Sequence, residues 1–122
     1  MPAAGSDRRR ALGASGEDRA AQWYKAAGYE VVDRNWSCRD GELDLIVRRG
    51  ATLVFCEVKA RSGRSYGEPF EAVTRSKQTR IRRLAARWLR ERGGRLIGRP
   101  RDIRFDVASI LGPHLEILED AF

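Results

Sequence analysis

The chain has 122 residues, 42% of them hydrophobic and 34% charged, with a net charge of +7. That suits one globular domain with a modest core and leaves little room for a second. No apolar run approaches the roughly 18 residues of a membrane span. Two cysteines and a single histidine cannot supply the about four ligands of a structural zinc site.

Residues 1–14 lack periodicity and are expected to form a flexible leader. Arg8, Arg9 and Arg10 raise the question of a twin-arginine export signal. The apolar stretch such a signal needs is missing, because Ala11-Leu12-Gly13-Ala14 runs into Ser15-Gly16-Glu17-Asp18. Neither cysteine argues for an oxidising compartment, so the chain is expected in the cytoplasm. Residues 15–122 are expected to make the single domain.

Ser15 to Asp18 reads as a capping-box-like helix start, and Gly28 as the helix stop. Ala20, Ala21, Tyr24 and Ala27 form its apolar face. Glu17 lies at the N-terminal end of that face, where a carboxylate is unexpected. Two explanations stay open: the helix dipole favours an acid in the first turn, or Glu17 has a functional role. Tyr29 to Trp36 reads as a first strand, Ser37 to Gly41 as a loop, Glu42 to Arg48 as a second strand and Leu53 to Ala60 as a third. Cys38 falls in that loop and Cys56 in a strand core. The stretch Arg61 to Gly67 is too polar and glycine-rich for regular structure. A second helix covers about Thr74 to Arg92, with Ile81, Leu84, Ala85, Trp88 and Leu89 at helical spacing and Gly93-Gly94 after it. Ile103 to Leu111 is a fourth strand, and Leu115 to Leu118 a short fifth. The order predicts an α/β fold with a mixed sheet and helices packed on it.

Charge is unevenly spread. From Arg75 to Arg104 there are twelve basic residues against two acidic ones, Glu91 and Asp102, a local net of +10 that leaves −3 for the rest. A basic segment beside an acidic remainder points to a polyanion partner. Arginine forks onto phosphate, which adds to that reading.

The second and third strands carry the chemistry. Gly50-Ala51 suits a type II′ turn, and pairing Arg49 with Thr52 makes opposed residue numbers sum to 101. Val47 then faces Val54, Ile46 faces Phe55 and Leu45 faces Cys56. Continued, the register sets Asp44 opposite Glu57 and Glu42 opposite Lys59, all four on one face. Facing carboxylates repel unless one takes a proton or a cation lies between them. Mg²⁺ prefers such oxygen ligands. A pair of cross-strand salt bridges is the plainer alternative. Against it, the third strand is apolar on both faces until the charges begin abruptly.

These residues resemble the PD-(D/E)xK nuclease superfamily, with Asp44 on one strand and Glu57-Val58-Lys59 on the next. More closely, the chain resembles the YraN family of predicted bacterial endonucleases. The matching stretches are Gly16-Glu17, Gly41 to Ile46, Phe55 to Arg61, Lys77, and Arg104 to Val107. Leu43 stands where the superfamily pattern has proline. The resemblance implies a restriction-endonuclease-like core of order αβββαβ. It implies that Asp44 and Glu57 bind Mg²⁺ or Mn²⁺, and that Lys59 supports the attacking water and the phosphate. Holliday-junction resolvases of this fold add a Glu from the first helix, matched here by Glu17. The expected activity is metal-dependent hydrolysis of phosphodiester bonds in DNA, branched or repair intermediates included. Lys77, Arg61, Arg80 and Arg104 are expected to hold the backbone. Resolvases of this fold work as dimers, and Trp36, Tyr66, Phe70 and Phe122 are apolar candidates for such a surface. The alternative is a non-catalytic nucleic-acid-binding module on a nuclease fold.

Overall fold

The computed structural model describes residues 16–61 and 73–122, apart from the side chain of Arg61. The expected leader, Ser15, and the expected loop with Tyr66 and Phe70 lie outside the described residues. Within them the order is helix α1 (16–26), strands β1 (Glu30–Cys38), β2 (Gly41–Arg49) and β3 (Thr52–Arg61), helix α2 (Arg75–Arg92), and strands β4 (Asp102–Leu111) and β5 (His114–Leu118). A single turn of tighter helix, Gly93–Arg95, prolongs α2 beyond the expected glycine stop. Among the described residues no helix is long and apolar enough to cross a membrane.

The five strands form one sheet in sequence order. Three neighbour pairs are antiparallel and β3–β4 is parallel. Parallel neighbours need a crossover, and α2 lies within that connection. The result is a mixed sheet flanked by helices, compatible with a restriction-endonuclease-like core.

Each helix has its own face. Ile81, Leu84, Ala85 and Trp88 of α2 pack with Ile46, Phe55, Phe105 and Val107. Ala20, Ala21 and Tyr24 of α1 pack with Leu45, Val47, Val54 and Cys56. Neighbours on β3 thus feed different cores, and Leu53 to Cys56 are all buried, as a central strand requires. Burying such side chains contributes roughly 1.5–3 kcal/mol each before entropy is counted. Cys38 is half-buried at the end of β1 rather than in a loop, because β1 and β2 turn over only two residues, Arg39 and Asp40. Of the apolar residues considered for a dimer surface, Trp36 is buried and Phe122 packs on the α2 core.

The local signals hold at the ends. Gly28, at φ +90°, closes α1: Tyr29 N–H donates to Tyr24 O and Gly28 N–H to Lys25 O, at 2.9 and 3.0 Å. That is the paired-bond C-cap that left-handed glycine allows. Thr74 caps α2 by accepting from Lys77 N–H. Gly50 has φ +60° and Ala51 is not left-handed, as a type II′ turn requires.

Candidate metal centre at a break in the strands

The expected β2–β3 register is observed from Arg49↔Thr52 to Leu45↔Cys56, and there the pairing stops. Asp44 and Glu57 do not pair across the ladder. Instead Asp44 Oδ2 accepts the backbone N–H of Val58 at 2.9 Å. The single shared face expected for Glu42, Asp44, Glu57 and Lys59 is also corrected. Leu45 belongs to the α1 core but Leu43, two residues away, belongs to the α2 core. Regular alternation would put them on one side.

The neighbouring strand breaks at the same rung. Arg34, opposite Leu45, bonds Asp18 of α1, while Trp36, opposite Leu43, is in the α2 core. Between them Asn35 is left-handed, at φ +51°. Asn is among the few side chains that tolerate this region. Asn35 and Asp44 are therefore the two residues about which β1 and β2 change faces. Sequence periodicity missed Asn35, which follows the charged Asp33 and Arg34 in β1 and so did not stand out as a polar residue in an apolar run.

This break brings acids together. Carboxylate oxygens of Glu17, Glu42 and Asp44 all lie within 4.8 Å of one another. Glu17 arrives because α1 approaches the sheet closely at Gly16, where a Cβ would stand 2.9 Å from Ile110 Cδ1 and 3.5 Å from Val58 Cγ1. Glu17 is buried. Burial raises its pKa, the amide of Asn35 and the charge of Arg34 partly offset the rise, and Glu42 and Asp18 add to it. Asp44 is pushed up to about 7, first by burial and then by the charge of Glu57; the Val58 N–H works the other way, and Glu17 and Glu42 add to the rise.

Glu57, expected as a metal ligand, stands outside the trio and pairs with Lys59 through Oε1 at 3.3 Å. Glu42, which the sequence put in the acidic patch without naming it a ligand, is the third carboxylate of the cluster, and the charge of Glu57 still reaches Asp44. Lys77 lies in the first turn of α2 and its pKa is lowered, chiefly by the charge of Lys59, which it faces. Arg80 follows one turn later. Arg104 is not brought together with these residues. It lies on the α1 side of β4, bonded to Asp106 at 2.9 and 3.0 Å and to Tyr29 Oη at 2.9 Å. Asp106 is fully buried and also accepts from Tyr24 Oη and from the N–H of Asp120. The Arg104–Asp106 match is thus explained by a buried network joining α1, β4 and the C-terminal turn. The side chain of Arg61 lies outside the described residues.

A family model described as the uncharacterised protein family UPF0102 matches residues 16–110. The chain belongs to this family. UPF0102 is the YraN-like family that the residues resemble. A UPF0102 protein of Beutenbergia cavernae is 55% identical over 101 residues, which cover 83% of this chain and 82% of that protein. One from Rhodococcus jostii is 54% identical over 117 residues, covering 92% and 96%. One from Acidothermus cellulolyticus is 44% identical over 125 residues, covering 93% and 95%. The UPF0102 match begins at Gly16, which brings α1 onto the sheet, and includes Glu17, Asn35, Glu42, Asp44, Glu57, Lys59 and Lys77.

Proposed function

We propose that this UPF0102 chain is a metal-dependent nuclease that hydrolyses phosphodiester bonds in DNA. The observation that carries the reading is the meeting of Glu17, Glu42 and Asp44 at the strand break, beside the Glu57–Lys59 pair. Gathered, partly buried carboxylates repel one another, and a divalent cation removes that cost. Their hard oxygen donors suit Mg²⁺ or Mn²⁺. When bound, such an ion neutralises phosphate charge and acidifies the attacking water. The trio would hold it. Glu57 keeps the Lys59 ammonium oriented, and Lys59 donates to a phosphate oxygen as charge develops there. Lys77, facing Lys59, adds a second positive charge on the same side.

A second reading, a binding module without turnover, is favoured by one observation: the basic face of α2 needs no metal to attract a phosphate backbone. One experiment separates them. Purified protein is incubated with branched, nicked and single-stranded DNA, with Mn²⁺ or with chelator. Cleavage should require the metal and should fall by about a hundredfold or more in Lys59→Ala and Asp44→Asn. Metal-independent binding with no cleavage of any substrate would leave the binding module instead.

A further inference from the structure

Helix α2 turns a row of arginines outward. Arg80, Arg83, Arg87 and Arg90 recur at spacings of three and four, which places them on one side of the helix. With Thr79 and with Asp40 of the β1–β2 turn they line an open groove of about 800 Å³. Arg87 is held by Glu91 at 2.9 Å and by Asp40 at 3.2 Å. Arg80, Arg83 and Arg90 are exposed and make no ion pair among the described residues. Like charges three and four apart on a helix repel, and exposed guanidinium heads bury little that would repay it. The row serves something outside the fold, and its charge selects a polyanion.

The row also begins at the acidic centre. Lys77 faces Lys59. The stem of Arg80 passes over Gly41, where a Cβ would stand 4.0 Å from Arg80 Cδ and 3.1 Å from Leu84 Cδ1. Gly41 immediately precedes Glu42 of the trio. From Lys77 to Arg90 the axis rises roughly 20 Å, the reach of several successive phosphates.

We infer that the phosphodiester backbone flanking the reacting phosphate lies in this arginine groove, crossing the β1–β2 turn and leading away from the acidic trio along α2. The inference rests on the nuclease reading for its substrate and adds the path that substrate takes. Contacts of this kind go to phosphate and read no base edges. Binding is therefore indifferent to sequence and steeply salt-dependent, each neutralised phosphate contributing about 0.9 to the slope of log K against log salt on B-form DNA.

The test is fluorescence anisotropy of a labelled mixed-sequence DNA duplex, without metal, over a series of salt concentrations. The variant Arg83→Gln/Arg90→Gln changes two exposed side chains of the groove, six and thirteen residues beyond Lys77 on α2. Arg99→Gln/Arg101→Gln removes the same charge from the segment before β4. The first pair should lower the salt slope by about 2, weaken binding, and raise KM in the cleavage assay with kcat unchanged. The second pair should leave the slope as it is. An unchanged slope in the first pair overturns the inference, as does an equal loss in both pairs, which would show net charge rather than a path. If the wild type cleaves DNA while the first pair keeps the full slope, the path alone fails. If the slope falls as expected but no metal-dependent cleavage exists, the path stands and the nuclease reading fails.

Discussion

Asp44 sits where three influences meet: burial, the charge of Glu57, and a backbone N–H that it must keep accepting. Its carboxyl rises from an ordinary 3.8 to about 7 in the folded chain. The folded protein therefore holds this proton over a range where the unfolded chain has lost it. The contribution to stability is complete below about pH 4 and is lost as pH rises through about 7. Metal-free protein should lose roughly 4 kcal/mol across that window, on the order of ten degrees in melting temperature. Asp44→Asn keeps the acceptor for Val58 and removes the charge. It should be the more stable protein at pH 8 in chelator and nearly equal to wild type near pH 4, measured by thermal melts. A parallel pH dependence in the two proteins would show that Asp44 is not the buried acid described. Glu17, raised by burial too, works in the same direction. Its placement was half legible: helical spacing put a carboxylate at the edge of an apolar face, and only the partners Glu42, Asp44 and Asn35 show why it is there.

Elements bring these residues together through close approach. Leu84 of α2 packs over Gly41, and α1 packs over β3 and β4 at Gly16, where a side chain would meet the flexible end of Ile110. A single methyl can be absorbed there; a branched side chain cannot without moving the helix. Gly16→Val should displace Glu17 from the trio, cutting metal-dependent cleavage more than tenfold while far-ultraviolet circular dichroism stays native. Full activity in a folded Gly16→Val protein would separate helix position from function. The strand pattern was legible where it is regular. Apolar residues meeting apolar ones gave the β2–β3 register correctly from Arg49 to Leu45. It failed one step later because alternation assumes an unbroken pleat, and Asn35 and Asp44 turn both strands over at the same rung. The bulge at Val32 is a second such turn. It faces Asp33 toward α2, where Asp33 accepts the indole N–H of Trp88 at 2.9 Å. Long-range partners of this kind leave no mark in local periodicity.

The molecule as a whole is held on both faces of one central strand, with β3 covered by α2 on one side and α1 on the other. Asp106 links the α1 side to the C-terminal turn, where Phe122 stacks on Phe105 with ring centres 5.2 Å apart. Element order and fold class followed from composition, turn residues and periodicity. The function of Arg104 did not, since an arginine in a basic segment reads as a surface charge until its buried partner is seen. The trio of acids runs from the buried Glu17 through Asp44 to the exposed Glu42, beside the turn where the arginine groove of α2 begins. The central claim, that Glu17, Glu42 and Asp44 together hold a divalent ion, is tested most directly by titrating the protein with Mn²⁺ and following free Mn²⁺ by electron paramagnetic resonance. Wild type should show saturable binding that weakens by at least roughly tenfold in Asp44→Asn and in Glu42→Gln. Binding of equal strength in wild type and both variants, or no binding by the wild type at pH 8, would contradict it.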